Sequence, residues 1–449
     1  MVTIRVSPIR LLCMAGLLSL SLGATGQEEE NRLTTDLQFM ARGEIRNGGL
    51  PQTDDEETSG DRSNFLLGRA RLLIDYQRPN LETRMSIQHS GVWGDKGSNI
   101  NVFEAWARLN AKNGLFVQAG RQALAYDDER IIGPNDFATA SKSHDLLRLG
   151  YEGYGHKFHA LFAYNQNASN TLGGSYYVDG AQYYKTMQTL WYHYDVPRFP
   201  LGASLLFMNI GEQAGVQEGN KDYNNNPERT VYQQIYGGYV NFHPKHLTLE
   251  GSYYRQTGTN ADEKMNASPI TAWMAGVKAT VMPSDRYGFI GGYDYLSGDE
   301  YMVVRKPGTL GRILQVESKG FTPLYGSRTK FYGILDYFYQ SAYLDGFTPG
   351  LQNTFVGGYF RPTRKLECRA IYHYLATATK LTDLERTLGH AVELEASYRF
   401  TDDIFLVASY TQMHGTNTMD RLKQNMGDKN ARWGWFSLVI SPTLFVTKF

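Results

Sequence analysis

The chain has 449 residues, and its 45 basic and 45 acidic side chains give it no formal net charge, so charge alone points to no nucleic-acid partner. Of its two cysteines only Cys368 lies beyond the N-terminal segment, which excludes an intrachain disulfide or a thiolate metal cluster in the remainder. Its 31 tyrosines, 22 phenylalanines and 46 glycines accompany a negative mean hydropathy, and no apolar run after the N-terminus is long enough for a membrane helix.

The N-terminus carries Arg5 and Arg10, then an apolar stretch from Leu11 to Leu22 too short to span a bilayer, then the small residues Ala24-Thr25-Gly26. This is the layout of a secretory signal peptide, expected over residues 1–26, with 27–449 as the mature chain. Cys13 sits inside the apolar stretch behind Leu12, where a lipoprotein signal has a small residue. Removing Arg5 and Arg10 leaves 43 basic against 45 acidic side chains.

From there the chain alternates with period two. In residues 37–46, Leu37, Phe39, Ala41, Gly43 and Ile45 oppose Gln38, Met40, Arg42, Glu44 and Arg46. In residues 66–76, Leu66, Ala70, Leu72, Ile74 and Tyr76 oppose Arg69, Arg71 and Asp75; in 81–90, Leu81, Thr83, Met85 and Ile87 oppose Glu82, Arg84, Ser86 and Gln88. Phe103, Ala105, Ala107 and Leu109 oppose Glu104, Trp106, Arg108 and Asn110, and after the turn at Lys112-Asn113-Gly114 the apolar face resumes with Leu115, Val117 and Ala119. Segments of about ten residues with one apolar and one charged face and aromatic ends fit tilted strands crossing an outer membrane.

The connections alternate in length. Short ones lie at 77–80, 112–114, 152–156, 195–200, 242–246, 282–285, 361–364 and 401–403; long polar ones lie at 47–64, 91–99, 123–142, 166–181, 211–229, 258–268, 377–387 and 414–431. Short turns on one rim and long loops on the other are the outer-membrane barrel pattern. Counting 329–338 as a wall strand makes the number odd, whereas a single-chain barrel with both ends in the periplasm wants an even one. The expected fold is therefore an all-β, transmembrane antiparallel β-barrel of about 18 strands. Residues 298–349 then form one long extracellular loop, and a loop of that length is usually functional. The sequence leaves open whether it lies over the lumen or enters it. The chain closes on Trp433, Trp435 and a terminal Phe449, with Pro442 predicted at a strand end or bulge.

The run GRQALAYDDERIIGPND at 120–136 resembles the signature of the alginate-export family of outer-membrane porins, and PLYGSRTKFYGILDYF at 323–338 is similar to that family's second typical segment. Phe137 stands where the family commonly has tryptophan and Thr329 where histidine is frequent. The resemblance implies an eighteen-stranded barrel whose arginine-rich lumen conducts an acidic polysaccharide. It also implies that Arg121, Asp127, Asp128, Arg130 and Asp136, with Arg328, Lys330 and Asp336, lie near the pore constriction.

Alternation assigns Arg42, Arg46, Arg69, Arg71, Arg84, Arg108 and Arg148 to the lumen, against Glu44, Asp75, Glu82 and Glu104, which makes the first half of the wall basic. In the second half Lys278, Arg369 and Arg399 face Glu250, Glu367, Glu393 and Glu395. Guanidinium forks match carboxylates, so a basic wall offers an anionic saccharide a series of weak sites. The bland alternative is that these charges satisfy one another as wall ion pairs. Strict alternation from Leu115 turns Arg121 toward lipid, so a bulge beside Gly120 is predicted to swing it inward.

The expected partners are an anionic saccharide or polysaccharide and the outer-membrane lipid, with no cofactor and no metal: the oxygen-rich run Asp127-Asp128-Glu129 lacks an ordered calcium-ligand spacing. An enzyme is not expected, because neighbouring strand residues such as Ser143-His144-Asp145 point to opposite faces and do not converge as a triad. A soluble glycan-binding β-protein conflicts with the outward apolar faces, and a general diffusion porin without saccharide preference is the runner-up.

Overall fold

The computed structural model describes residues 31–47, 62–95, 99–165, 184–213, 230–259, 269–304, 312–333, 348–381, 383–422 and 430–449. The expected signal at 1–26, most of the loops at 47–64, 166–181 and 211–229, and Asp336 lie outside them.

The wall begins with β1 (Arg32–Asn47), β2 (Arg62–Arg78), β3 (Leu81–Val92), β4 (Asn99–Asn110), β5 (Leu115–Gln122) and β6 (His144–Gly153). It continues through β7 (His156–Tyr164), β8 (Thr186–Asp195), β9 (Leu201–Gln213), β10 (Thr230–Phe242), β11 (Leu247–Thr259), β12 (Pro269–Ser284) and β13 (Tyr287–Leu296). A separate hairpin of β14 (Glu300–Val304) and β15 (Arg312–Glu317) follows. The wall resumes with β16 (Leu351–Phe360), β17 (Leu366–Ala376), β18 (Thr387–Arg399), β19 (Ile404–Gly415), β20 (Asn430–Ile440) and β21 (Thr443–Lys448). Each strand pairs antiparallel with the next, and β20 and β21 both pair with β1, closing the cylinder.

These last two are one strand interrupted at Ser441-Pro442, where the Pro442 carbonyl accepts the Leu37 amide at 3.1 Å; the register against β1 is kept across the interruption and shifts only at Leu444, between Thr35 and Asp36. Proline has no N–H to give to a ladder, so the break falls where it costs least. The wall thus has 18 strands, as parity requires. The loop after β19 adds a short helix not anticipated from sequence, α1 (Asn417–Leu422), which buries Met419 and Leu422.

Closure leaves no unpaired edge, and the apolar faces turn outward: Leu109, Leu115, Leu205, Val277, Phe289 and Phe436 are all half or more exposed. A closed barrel with an outward apolar belt satisfies its backbone internally and belongs in the outer membrane.

Two facing expectations are corrected. Phe103 was expected on the outer face; instead β3 and β4 shift register between Ser86 and Ile87, so Ser86 opposes Glu104 and Ile87 opposes Val102. The extra residue is a bulge that turns both Phe103 and Glu104 inward, where each is at most 6% exposed. No such shift occurs at Gly120. The pairings of β5 with β4 and β6 run unbroken through Ala119↔Ala107 and Arg121↔Ala105, so Arg121 stays on the outer face of Val117 and Ala119. Gly120 does take a positive φ of 122°, and a Cβ there would strike the Ala105 backbone, but the glycine relieves a close approach of strands rather than redirecting its neighbour. Arg121 is accommodated by a bidentate pair with Asp145, 2.6 and 2.8 Å, also on that face.

Candidate constriction of the barrel

The β5–β6 loop crosses the lumen and is bonded to walls on several sides. On the β1–β3 wall, Arg42 donates to the Phe137 carbonyl at 2.8 Å, Arg69 forms a bidentate pair with Asp136 at 3.0 and 3.2 Å, and Gln88 donates to the Ala140 carbonyl. On β8 and β11, Trp191 donates to Asp127 at 3.0 Å and the Tyr254 hydroxyl reaches the same carboxylate at 3.4 Å. On β13, Asp294 forms an ion pair with Arg130 at 2.9 Å. The ring of Phe137 packs edge-on to Trp433 and Trp435 of β20.

The two sequence blocks singled out beforehand meet each other here. Ile132 and Tyr325 form a parallel bridge, the Gly133 amide donates to the Tyr325 carbonyl at 2.9 Å, and the Ser327 amide donates to the Glu129 carbonyl at 2.9 Å. Side chains repeat the link: Ser327 donates to Glu129 at 2.8 Å, Lys330 pairs with Glu129 at 2.5 Å, and Arg130 donates to the Tyr332 hydroxyl at 3.1 Å while lying over the Phe331 ring. Gly326 is required because a Cβ there would collide with the Arg130 carbonyl. Asp299, 2% exposed, fixes the base of the long loop by accepting the amides of Lys319, Gly320 and Thr348. Residues 318–333 therefore lean on the inward loop and on the walls.

Of the predicted site residues, Asp128 pairs with Arg130 at 3.2 Å, and Arg130 is held between Asp128 and Asp294. Burial works to lower the Arg130 guanidinium, but Asp294, Tyr332 and Asp128 together hold it well above its usual range. Arg328 and Lys330 occupy a single 3-10 turn, half-buried and exposed respectively. Arg121 is not part of the constriction. The partners the sequence reading missed are Asp294, Asp299, Trp191, Tyr254 and Tyr332; Asp294 was open to discovery, since it alternates with Tyr293 and Tyr295.

The arginine row is present, but each of its seven members already has a carboxylate within 4 Å. Arg42 and Arg46 share Glu44, both at 2.8 Å; Arg71 reaches Gln88 and Asp136 over the Phe103 ring; Arg84 holds Asp75 bidentately at 2.6 and 3.0 Å. Arg108 and Arg148 flank Gln118 in register, both over the Phe116 ring, with Glu152 at 3.6 and 3.9 Å. Asp136 and Glu152 thus absorb much of the basic excess counted from strand alternation. In the second half Lys278 pairs with Glu250 at 2.7 Å and Arg369 with Glu395 at 3.4 Å, as expected, whereas Arg399 turns to Asp402 at 3.7 Å. His144 faces inward onto Tyr184 while Asp145 faces outward, so no triad forms.

Burial pushes the Asp127 carboxyl up from the ordinary aspartate range, against the donors Ser204 and Trp191. A raised acid keeps its contribution to loop docking below the unfolded pKa and loses it as pH rises, until Asp127 is ionised in both states. Conductance noise from loop motion is expected to increase as pH rises from the acid side of that window. Asp127→Asn, which suits the residue's φ of 55°, should flatten this dependence; noise that tracks pH equally in both proteins would refute the assignment.

No family model matches the chain, and no curated protein matches it in sequence. Solved structures do. The crystal structure of Pseudomonas aeruginosa OpdL shares 10% identity at a TM-score of 0.60, covering 92% of this chain and 99% of that one. Acinetobacter baumannii OccAB1 shares 10% at 0.60, covering 92% and 97%. Pseudomonas aeruginosa OccK2 (OpdF), solved in complex with glucuronate, shares 11% at 0.57, covering 92% and 98%. At such identities the likeness establishes the barrel fold. The comparisons do not support the resemblance to the alginate-export family.

Proposed function

We propose that the protein is a passive outer-membrane channel for anionic saccharides, of the alginate-like uronate class, with its constriction where residues 123–142 meet 318–333. The observation that carries this reading is the set of partly accessible guanidiniums on β1–β6. Arg46, Arg84, Arg108 and Arg148 keep 10 to 19% side-chain exposure, each over an aromatic ring at 3.6 to 5.8 Å. The ring fixes the plane of the fork, and the neighbouring acid keeps a passing carboxylate from being held tightly. The glucuronate bound to OccK2 belongs to that protein and adds only that a barrel of this shape can hold a uronate.

A general diffusion channel is the second reading, favoured by a specific observation: all seven wall arginines already have a protein acceptor. Planar-bilayer conductance separates the two. Anion selectivity that glucuronate or oligouronate blocks, with the block weakened roughly tenfold in Arg108→Gln/Arg148→Gln, about 1.4 kcal/mol, supports the saccharide channel. Equal block by monomer and oligomer narrows the solute to single uronates. A pore indifferent to both solutes and to the substitutions leaves a general channel.

A further inference from the structure

The outer face of β8–β12 carries a cation that the channel does not use. Arg255 lies between Tyr254 and Gln256, both buried and turned inward, so its own side chain points away from the lumen and is exposed. In register it stands between Tyr236 of β10 and Trp273 of β12, and the same row continues through Phe207 and Leu190. Among the described residues no carboxylate pairs with it, unlike Arg121, the other outward guanidinium treated above, which holds Asp145. A guanidinium facing hydrocarbon is costly at the bilayer midplane and nearly without cost at the interface, so an unpaired one marks the level where anions become available.

The next row toward the long-loop rim confirms that level. It reads Gln188, Asn209, Gln234, Thr257 and Thr271, all in direct register. Asn209 donates to Gln188 at 2.7 Å and Gln234 donates to Asn209 at 2.8 Å, forming an amide ladder on the outer surface. Below it lie Leu190, Phe207, Tyr236 and Trp273, the last stacked on Tyr295 at 4.6 Å, which is the aromatic girdle expected at a membrane boundary.

We propose that Arg255, flanked by Tyr236 and Trp273 and overhung by the amide ladder, binds the phosphate of a phosphorylated glycolipid headgroup in the outer leaflet. The fork meets the phosphate, the rings flank the first acyl carbons, and the amides face the sugar hydroxyls. The occupant follows from position: this row sits at the long-loop rim, where the outward surface changes from apolar to amide over two residues of each strand, Leu190 to Gln188, Phe207 to Asn209 and Tyr236 to Gln234.

The test is native mass spectrometry of the refolded barrel in detergent, with bis-phosphorylated lipid A and its dephosphorylated form at equal concentration. The wild type is expected to retain the phosphorylated lipid roughly tenfold better, Arg255→Lys to keep part of that preference, and Arg255→Gln to lose it. Heat-modifiable gel migration verifies that each variant is folded. Equal retention of the two lipids by the wild type overturns the proposal whatever the variants do, as does an unaltered preference in folded Arg255→Gln. Arg432 of β20, also exposed at the long-loop rim with no carboxylate pairing with it among the described residues, is the control: a preference lost in Arg432→Gln instead would also overturn the proposal.

Discussion

Replacing Asp136 by alanine is expected to free the 123–142 loop from the β1–β3 wall and to leave two buried guanidiniums without their carboxylate. Arg69 is 2% and Arg71 4% exposed; Asp136 takes the fork of Arg69 and one N–H of Arg71 at 3.3 Å, with Ser141 donating to it at 2.8 Å. Removing one partner of a buried ion pair costs roughly 3–5 kcal/mol, because the remaining charge stays desolvated and uncompensated. The barrel ladder does not depend on this contact, so the variant should still fold into a heat-modifiable cylinder. The loss should appear as larger, noisier single-channel conductance. Asp136→Asn, which keeps the shape but accepts more weakly, should fall between. Wild-type conductance in Asp136→Ala would show that the loop is held in place without this carboxylate.

Arg130→Met is the second large effect. This guanidinium ties the crossing loop to Asp294 on β13 and to Tyr332 of the long loop, and it is 6% exposed. Methionine fills part of the volume over Phe331 but leaves Asp294, 2% exposed, as a buried carboxylate held by Asn353 at 3.0 Å and, among the described residues, by no cation. A penalty of about 3–5 kcal/mol is again expected. The double variant Arg130→Met/Asp294→Asn should recover much of it, because the stranded charge is gone. Proteolysis between residues 318 and 333 measures the release of the long loop. Equal cleavage in the single and double variants would show that Asp294 is not what Arg130 neutralises.

How much was legible follows from what each property depends on. Period-two alternation read the faces of β1, β2, β17 and β18 because a strand's side-chain direction is a local consequence of the pleat. It failed at Phe103, because a bulge is a disagreement between two strands and neither shows it alone. It was correct at Arg121 where a rescuing bulge was invoked against it. The desolvation argument for that bulge omitted Asp145, whose carboxylate is brought beside Arg121 by the pairing of β5 with β6. The two blocks noted at 120–136 and 323–338 were found as motifs, yet that they bind each other could not be read, since nearly two hundred residues separate Ser327 from Glu129.

By itself the sequence determined the barrel class, the even strand number, the rims and the existence of a basic wall, because each follows from local periodicity and from the rule that no backbone edge can face lipid. Only the tertiary structure decided what the charges are for. Asp136 and Glu152 reach their arginines across the lumen or between strands, so of the guanidiniums that count as a basic excess along the chain Arg42, Arg69 and Arg71 become struts of the crossing loop, while Arg108 and Arg148 are drawn to Glu152.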